Sequence, residues 1–380
     1  MAARAGRVMT SGMRATAPLL LAFALFGCPT PAQPPPPKPA PAAPKPTSVT
    51  PSQLPSKPGE MVRLENKAMG TRVVLLGFTT ETLNEAAVRA ALGRAYQEIL
   101  RLEGLMTTWR EDSEVSRINA AAGKEAVAVS DETFEVIAKS LWIAKLSEGT
   151  FDITFASMGD LWKFDEDKVM AIPPAAAIEK ARKKIDYRKV EVDAAKKTVK
   201  LTSPDTRINL GGIAKGYAID KAAAVLREAG LTAFFAQAGG DLYVEGNKPD
   251  GTPFRVGVRD PRGPGETFFA LLPVEDHAFS TAGDYERAFV KDGKRYHHII
   301  DPRTGYPATE SRSVTVWAKD AFTADAIDDA VFILGPVKGM ALVEAIEDCG
   351  AVIVDKHNGL HVSRRLEALL KVLRDPTPGL

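Results

Sequence analysis

The sequence predicts an α+β fold with mixed, largely antiparallel sheets and flanking helices. Two observations predict this class. Several predicted strands follow one another between residues 234 and 274 with no helix between them, as in long antiparallel runs. Longer segments with apolar residues at helical spacing are set apart from these runs, without the regular strand–helix beat of a doubly wound parallel sheet. Beyond the N-terminal segments, about 320 residues remain, which is enough for one broad domain or two joined lobes.

Residues 1–27 are predicted to be a lipoprotein signal peptide. Three arginines precede an apolar run at residues 19–26, which is too short to span a bilayer. The run ends in Gly27-Cys28, which resembles a bacterial lipobox with Cys28 as the lipidated first residue of the mature chain. An ordinary signal peptide with a chance cysteine is the alternative. A lipid on Cys28 would tether the protein to a membrane without a transmembrane helix.

Residues 28–59 are predicted to be a linker, because Pro and Ala dominate and no apolar periodicity is present. We therefore expect an exported protein that is lipid-anchored to a bacterial membrane and faces the periplasm. Lipidation of Cys28 leaves Cys349 without a partner, so no internal disulfide is expected. The 49 basic and 48 acidic residues give a net charge of +1 without a basic face, so no nucleic-acid partner is expected.

The first half of the globular part is predicted to contain strands, two helices and a hairpin. Residues 62–78 read as one or two strands, and residues 83–106 form an amphipathic helix. Ser130 can cap a second helix that ends before Gly149. Alternating polar and apolar residues at 187–203 predict a hairpin.

The second half begins with a helix at residues 215–229. The predicted strands that follow it lie at residues 234–238, 242–245, 254–259, 268–274, 296–300 and 314–318. A helix at 324–335 ends at a glycine. Residues 350–355 and 360–363 form a hairpin across an Asn-Gly turn.

Residues 209–220 carry a Gly-Gly turn that leads into the helix at 215–229. Gly211 and Gly212 have no Cβ, so a ligand can approach the backbone closely. The free N–H groups and positive dipole end of the helix favour an anion, and a phosphate fits there. A purely structural turn is the alternative, because the three spaced glycines of a dinucleotide-binding fingerprint are absent.

A second candidate segment contains two adjacent histidines. His298 lies near the end of a strand, before a turn shaped by Pro302 and Gly305. A histidine in that place can transfer a proton near neutral pH. Strand alternation turns His297 to the opposite face. The alternative is a hydrogen-bonded histidine at a sheet edge.

Three carboxylates form a third candidate site at the predicted start of the helix at 324–335. Asp325, Asp328 and Asp329 are spaced by three and four residues, which places them on one helix face. Converging carboxylates repel unless a cation lies among them, and oxygen ligands suit Mg²⁺. The alternative is that these acids complement the helix dipole in a first turn.

Two further residues complete the candidates. Trp109 could stack on a flat ring or pack in the core, and Asp152 follows the helix-ending Gly149. A phosphate cradle, a Mg²⁺ site, an aromatic platform and a histidine suit a nucleotide-type cofactor whose pyrophosphate is attacked.

Taken together and in order, these segments closely resemble the ApbE family, the FAD:protein FMN transferases. The resemblance runs from about residue 61 to residue 372 and covers eight motifs. The motifs are Ala68-Met69-Gly70-Thr71, residues 108–119, Gly149-Thr150-Phe151-Asp152, residues 209–220, Ala238-Gly239-Gly240-Asp241, residues 280–284, residues 298–305 and residues 324–335. It implies an ApbE-like, T-fold-like two-lobed domain over residues 60–375.

The resemblance implies an activity and a set of site residues. Family members use FAD as a substrate and Mg²⁺ as a cofactor, transfer FMN to a Thr or Ser hydroxyl of a target flavoprotein, such as a subunit of a redox complex, and release AMP. The positions that match FAD contacts are Met69, Trp109, Thr150, Phe151, Asp152, Asn209, Lys215 and Ile300. The positions that match metal ligands are the carbonyl of Gly212 and the side chains of Asp325, Asp328 and Asp329. His298 matches the proposed catalytic base.

Two positions depart from the family pattern. Asn209 stands where many members have Asp, which keeps an acceptor oxygen and loses a charge. Asp329 stands where Thr is usual, which adds a charge to the metal site. Two other functions stay open on the sequence: an FAD pyrophosphatase that gives free FMN and AMP, and a flavin-binding lipoprotein without turnover.

Overall fold

The computed structural model describes residues 57–164 and 171–380. Outside these residues lie the predicted signal peptide, Cys28 and nearly all of the rest of the predicted linker. Within the described part of the chain, no helix combines the length and the apolar character that crossing a bilayer requires.

The helices are numbered in chain order. They are α1 (Glu85–Met106), α2 (Glu114–Ala120), α3 (Asp131–Leu146), α4 (Ala175–Arg182), α5 (Ala214–Glu228), α6 (Ala321–Glu344) and α7 (Arg364–Glu367), with 3₁₀ segments at Ile153–Leu161 and Tyr187–Lys189. The helices predicted at 83–106, after Ser130 and at 215–229 are confirmed as α1, α3 and α5. Ser130 caps α3 by accepting a hydrogen bond from the Thr133 N–H. The short helices α2, α4 and α7 were not predicted.

The strands are numbered in the same way. They are β1 (Met61–Ala68), β2 (Thr71–Phe78), β3 (Val127–Ala128), β4 (Val190–Asp193), β5 (Thr198–Leu201), β6 (Phe234–Ala238), β7 (Asp241–Glu245), β8 (Phe254–Arg259), β9 (Phe268–Val274), β10 (His277–Gly283), β11 (Ala288–Lys291), β12 (Lys294–His297), β13 (Ile300–Asp301), β14 (Tyr306–Pro307), β15 (Ser311–Ala318), β16 (Cys349–Asp355), β17 (Leu360–Val362) and β18 (Lys371–Val372).

An eight-stranded sheet in the order β1-β2-β6-β7-β10-β15-β16-β17 forms the centre of the described fold. Every neighbouring pair in it is antiparallel. The α+β class is therefore confirmed. Residues 62–78 form the hairpin β1–β2, and its turn places Met69 at φ 52°.

The central sheet buries both of its faces, because successive side chains of a strand point to opposite sides. Along β16, Ala351 and Ile353 join the larger hydrophobic core, which α1, α5 and α6 line. Val352 and Val354 join a second core, built with Phe269 and other residues of β8 and β9. Strands buried on both faces explain why this part of the sequence is rich in continuous apolar runs.

The helix predicted at 324–335 has different ends. It begins at Ala321, and Asp320 caps it by accepting from the Thr323 N–H at 2.6 Å. At Gly335 the backbone leaves the helical region (φ 73°, ψ −174°), and a second helical segment runs from Pro336 to Glu344. Asp325 therefore lies beyond the first turn, so the alternative interpretation as first-turn dipole complementation is wrong.

Candidate active site

The crossing of α5 and α6 positions the candidate site. At Gly216 an added Cβ would lie only 2.1 Å from the carbonyl oxygen of Ala321, so the two backbones meet where no side chain fits. The Gly216 N–H donates to Asp325 Oδ2 at 2.8 Å. Asp220, one turn further along α5, accepts the first two N–H groups of α6, from Ala321 and Phe322, both at 2.9 Å. These contacts fix the position of α6 along α5.

Three buried carboxylates meet at this crossing. Asp241 opens β7, and Asp325 and Asp328 lie on α6. One potential ligand oxygen from each lies within 4.8 Å of the others, and we call this group the acidic triad. Lys215 Nζ lies 2.9 Å from Asp325 Oδ1 and 3.0 Å from Asp241 Oδ2, the latter without hydrogen-bond alignment. One ammonium therefore faces three carboxyl groups.

Ser280 links two members of the triad. Its buried Oγ is hydrogen-bonded to Asp241 Oδ1 and lies 2.5 Å from Asp328 Oδ2. A hydroxyl has one proton, so Ser280 can donate to only one of these carboxyl groups. The carboxyl group that does not accept this proton must itself be protonated, or the two carboxyl groups must bind one cation together.

The protonation of the triad follows from its burial. Burial raises the pKa of Asp241 to about 6, with a further rise from Asp325 and a lowering by Lys215. Burial, followed by repulsion from Asp329, Asp325 and Asp241, raises the pKa of Asp328 well above its ordinary value. Without a metal, the triad retains protons that a divalent cation would displace. Asp241 Oδ2 is buried without a hydrogen bond, which leaves an oxygen ready for such a cation.

The structure distributes the predicted metal ligands differently from the sequence analysis. Asp325 and Asp328 are together, as predicted, and Asp241 joins them although it was not among the predicted ligands. Its signal in the sequence was the Gly239-Gly240 pair before a carboxylate. Asp329 lies outside the acidic triad and beside Gly212, where an added Cβ would be 3.3 Å from Asp329 Oδ2. Burial raises the pKa of Asp329 to about 6.

The two histidines point to opposite faces, as strand alternation predicts. His297 is buried, its Nε2 lies 2.8 Å from the Ala308 carbonyl, and its ring meets Phe332 edge-on at 5.5 Å. His298 is solvent-accessible. The protein atoms crowded around the His298 ring lower its pKa, with smaller contributions from His297, Arg287 and Lys215. His298 is therefore neutral at neutral pH and can accept a proton.

The remaining predicted contacts of the cofactor fall into an open group and a buried group. Trp109 is 92% exposed, Asn209 Nδ2 lies 3.4 Å from Thr108 Oγ1, and Met69 and Ile300 are half-buried. Asn209 Oδ1 also accepts the N–H of Gly211 at 2.7 Å, which shapes the Gly-Gly turn.

Thr150, Phe151 and Asp152 are buried. Thr150 donates to the Ser147 carbonyl at 3.0 Å, and Asp152 accepts from the N–H groups of Thr154 and Tyr187, both at 2.8 Å. Burial raises the pKa of Asp152 against these hydrogen bonds. These hydrogen bonds thus hold the loop beside the Gly-Gly turn. The Phe151 ring lies against Gly212, 3.5 Å from the position that a Cβ on Gly212 would take. A direct role of these three residues at the cofactor stays a prediction.

Comparison with known proteins identifies the ApbE family over most of the chain. The model of the ApbE family matches residues 69–353. A Vibrio cholerae protein named FAD:protein FMN transferase is 30% identical over 308 residues, which cover 80% of this chain and 90% of that protein. A Klebsiella pneumoniae protein of the same name is 32% identical over 286 residues, which cover 74% and 80% of the two chains.

Solved structures give the same result. The crystal structure of the ApbE protein from Thermotoga maritima superposes with a TM-score of 0.73 at 32% identity and covers 82% of this chain and 99% of that chain. The flavin transferase ApbE from Vibrio cholerae has a TM-score of 0.72 at 27% identity, with the same coverage.

Proposed function

The chain belongs to the ApbE family, and we propose that it is an FAD:protein FMN transferase that uses Mg²⁺. FMN would pass from FAD to a Thr or Ser hydroxyl of a target flavoprotein, and AMP would be released. The observation that carries the proposal is the buried acidic triad of Asp241, Asp325 and Asp328 beside Lys215 at the start of α5. Buried carboxylates are costly without a cation, so a protein that only stored a flavin would gain nothing from them.

The acidic triad would hold the Mg²⁺. Its donors are hard oxygen atoms from two separate parts of the chain, the set that Mg²⁺ prefers, and Asp241 Oδ2 has the Lys215 ammonium 3.0 Å away but no aligned hydrogen bond. When bound, the ion would neutralise the charge that develops on the phosphate oxygens of the leaving group. Lys215 adds a positive charge at the same place. Gly212 and Asp329 lie close together, and the Gly212 carbonyl and the Asp329 side chain stay candidate ligands.

His298 would act as the base. As the acceptor oxygen bonds to the phosphorus of the FMN moiety, its proton passes to the neutral imidazole, and the phosphorus–oxygen bond to AMP breaks with its electron pair on AMP. The lowered pKa of His298 leaves the ring unprotonated at pH 7 and also makes it a weaker base, so its support as the base comes from its position. A positioned base contributes about 10²–10⁴-fold to the rate.

The cofactor would lie between the Gly-Gly turn and the exposed aromatic residue. The N–H groups of Ala214 and Gly216 already donate, to the Leu210 carbonyl and to Asp325, so the phosphates would be favoured by the positive dipole end of α5 and not by these two amides. Trp109, which is almost fully exposed, is free to stack on a ring. Met69, Asn209, Lys215 and Ile300 would complete the contacts.

The proposal extends to the location of the protein. A lipid on Cys28 would hold the enzyme at a bacterial membrane on the periplasmic side, with residues 28–59 as a spacer. Only a thiol accepts the diacylglycerol, so Cys28→Ser should move the protein out of the membrane fraction. A fully processed Cys28→Ser protein that stays with the membrane would rule out this anchor.

The test of the function measures AMP and the fate of FMN together. The protein is incubated with FAD and Mg²⁺, with and without a candidate acceptor flavoprotein. The transferase predicts AMP release that depends on the acceptor and on Mg²⁺. AMP with free FMN in the absence of an acceptor would indicate a pyrophosphatase, and no AMP under any condition would indicate a storage protein.

A further inference from the structure

The hairpin of β11 and β12 leads directly into His298 and carries exposed cations. These two strands form a sheet of their own and pair with no other strand among the described residues. Arg287, Lys291 and Lys294 are all solvent-exposed. The two carboxylates that precede the hairpin are already paired, Asp284 with Arg262 at 2.7 Å and Glu286 with Arg259 at 2.7 Å.

The two lysines lie on one face of the hairpin. Lys291 is opposite Lys294, and Phe289 is opposite Tyr296. Alternation along each strand puts these four residues on the same face. The rings of Phe289 and Tyr296 stack at 5.3 Å, and Lys294 Nζ lies 5.4 Å from the centre of the Tyr296 ring, as this arrangement requires.

The same face continues to the proposed base. The ladder extends one step past the strand ends, because the His298 N–H donates to the Arg287 carbonyl at 3.1 Å. Arg287 is therefore opposite His298, and its charge contributes to the lowered pKa of that ring. We call Arg287, Lys291 and Lys294 the cationic face.

The base of the hairpin is held firmly. Trp162 stacks on Tyr296 at 6.0 Å, and its Nε1 donates to the Gly305 carbonyl at 2.9 Å. Phe164 contacts Phe289 at 6.0 Å. Aromatic contacts of this kind fix ring positions relative to one another, so the cationic face has a defined place beside His298.

We propose that the cationic face is the docking surface for an acidic protein segment that carries the acceptor hydroxyl. This inference rests on the proposed function, since the hydroxyl must reach His298. Lys294 precedes His298 by four positions, which is about 13 Å of extended strand. Trp162 and Phe164 pack on Tyr296 and Phe289 and cover the middle of this face. An acceptor that passes over these rings would place acidic residues about four positions from its Thr or Ser opposite the lysines. Charge complementarity of this kind speeds encounter and selects partners.

The test compares two labelled peptides that differ only in charge. Each has one central Thr, with two Asp residues four and five positions away in one peptide and two Asn residues in the other. Binding to the full-length protein in FAD and Mg²⁺ is measured by fluorescence anisotropy at low and at physiological salt. The Asp peptide should bind about tenfold more tightly at low salt, and salt should reduce the difference.

Charge-reversal variants locate the surface. The double variant Lys291→Glu/Lys294→Glu should remove the preference for the Asp peptide. The matched control, Lys196→Glu/Lys197→Glu, makes the same change in net charge in the turn between β4 and β5. It should keep the preference for the Asp peptide. Equal binding of the two peptides, or equal loss in both double variants, would overturn the proposal. Binding of anionic phospholipid vesicles through Lys291 and Lys294 without a preference for the Asp peptide would overturn it in favour of a lipid surface.

Different results would contradict the docking surface and the transferase activity. FMN attachment to each peptide is followed by mass in the same samples. Tight binding of the Asp peptide, with no AMP release and no FMN attachment either to the peptides or to an acceptor flavoprotein, would contradict the transferase and leave the docking surface standing. FMN attachment at equal rates to both peptides, unchanged in the lysine variant, would contradict the docking surface and leave the transferase standing.

Discussion

At the residue scale, Asp241 is the finding that adds a candidate ligand to the predicted metal site. The spacing of Asp325, Asp328 and Asp329 predicted three ligands on one helix face. In the structure, Asp241 takes the place of Asp329 in the acidic triad. A sequence pattern within one helix reports only which residues share a face. Convergence with the start of a distant strand depends on the packing of the whole sheet, so the Gly239-Gly240 pair could mark Asp241 as a candidate but could not show that it lies beside Asp325 and Asp328.

The triad leads to a prediction for metal affinity. Asp241→Asn keeps the size of the side chain and removes its charge, so the affinity for Mg²⁺ should fall at least tenfold, as measured by calorimetric titration. The matched variant Asp329→Asn lies outside the triad and should lower the affinity less. A larger loss in Asp329→Asn than in Asp241→Asn would restore the ligand set that the sequence predicted.

The adjacent histidines give a second matched pair. His298→Ala should retain FAD affinity, because the Gly-Gly turn, Asn209 and Lys215 remain, and FMN transfer should fall by about 10²-fold or more. His297→Ala should affect transfer less and stability more, because His297 is buried against Phe332. FAD affinity from fluorescence quenching and transfer from acceptor mass separate the two effects. Near-normal transfer in His298→Ala would remove the base assignment.

At the element scale, the crossing of α5 and α6 carries the site. Much of each helix could be predicted, because capping residues and apolar spacing are local signals: Ser130 marked the start of α3 correctly. The start of α6 was missed by three residues. Its first two N–H groups are accepted by Asp220 of another helix, and that partner cannot be recognised from the residues near the helix start. The α5–α6 contact at Gly216 was likewise not predictable, since a glycine inside a helix has many explanations.

Two glycine variants test the crossing. Gly216→Ala would place a methyl group 2.1 Å from the Ala321 carbonyl oxygen, and should destabilise the protein by about 1–3 kcal/mol and weaken Mg²⁺ binding through Asp325. Gly93→Ala in α1 meets no atom within 4 Å and should stabilise the protein by about 0.5–1 kcal/mol, because Ala favours helix. Thermal unfolding with and without Mg²⁺ measures both. Equal melting temperatures for the two variants would mean that the helices separate easily at Gly216.

At the scale of the whole molecule, buried acids couple folding to pH and metal. Burial raises the pKa of Asp220 to about 7, and the pKa values of Asp241 and Asp329 to about 6. The unfolded values lie near 3.9. Raised pKa values in the folded state mean that the contribution of these groups to stability is complete below pH 4. It is lost as the pH rises through 6 to 7.

This coupling predicts a pH-dependent effect of the metal. Mg²⁺ displaces the protons of the triad, so the increase in melting temperature on adding Mg²⁺ should be larger at pH 7.5 than at pH 5.5. The Asp241→Asn variant should show little increase at either pH. An increase that is the same at both pH values in the native protein would contradict the protonation assigned to the triad.

The fold class and the catalytic candidates could be predicted for the whole domain because eight ordered motifs resemble one family. The individual role of each candidate residue could not be predicted in the same way. Asp152 matches a cofactor contact, yet in the structure its carboxylate holds the loop through Thr154 and Tyr187. The resemblance identifies positions that matter to the family, and only the packing around a side chain shows which neighbours it serves.

The central claim is that the acidic triad supports transfer of FMN to a protein hydroxyl. Its most direct test is the intact mass of an acceptor flavoprotein after incubation with FAD, Mg²⁺ and the native protein, with AMP measured in the same sample. We predict one added FMN per acceptor and an equal amount of AMP, both lost with EDTA and in Asp241→Asn. AMP without an added mass on the acceptor, or full transfer by Asp241→Asn, would contradict the account.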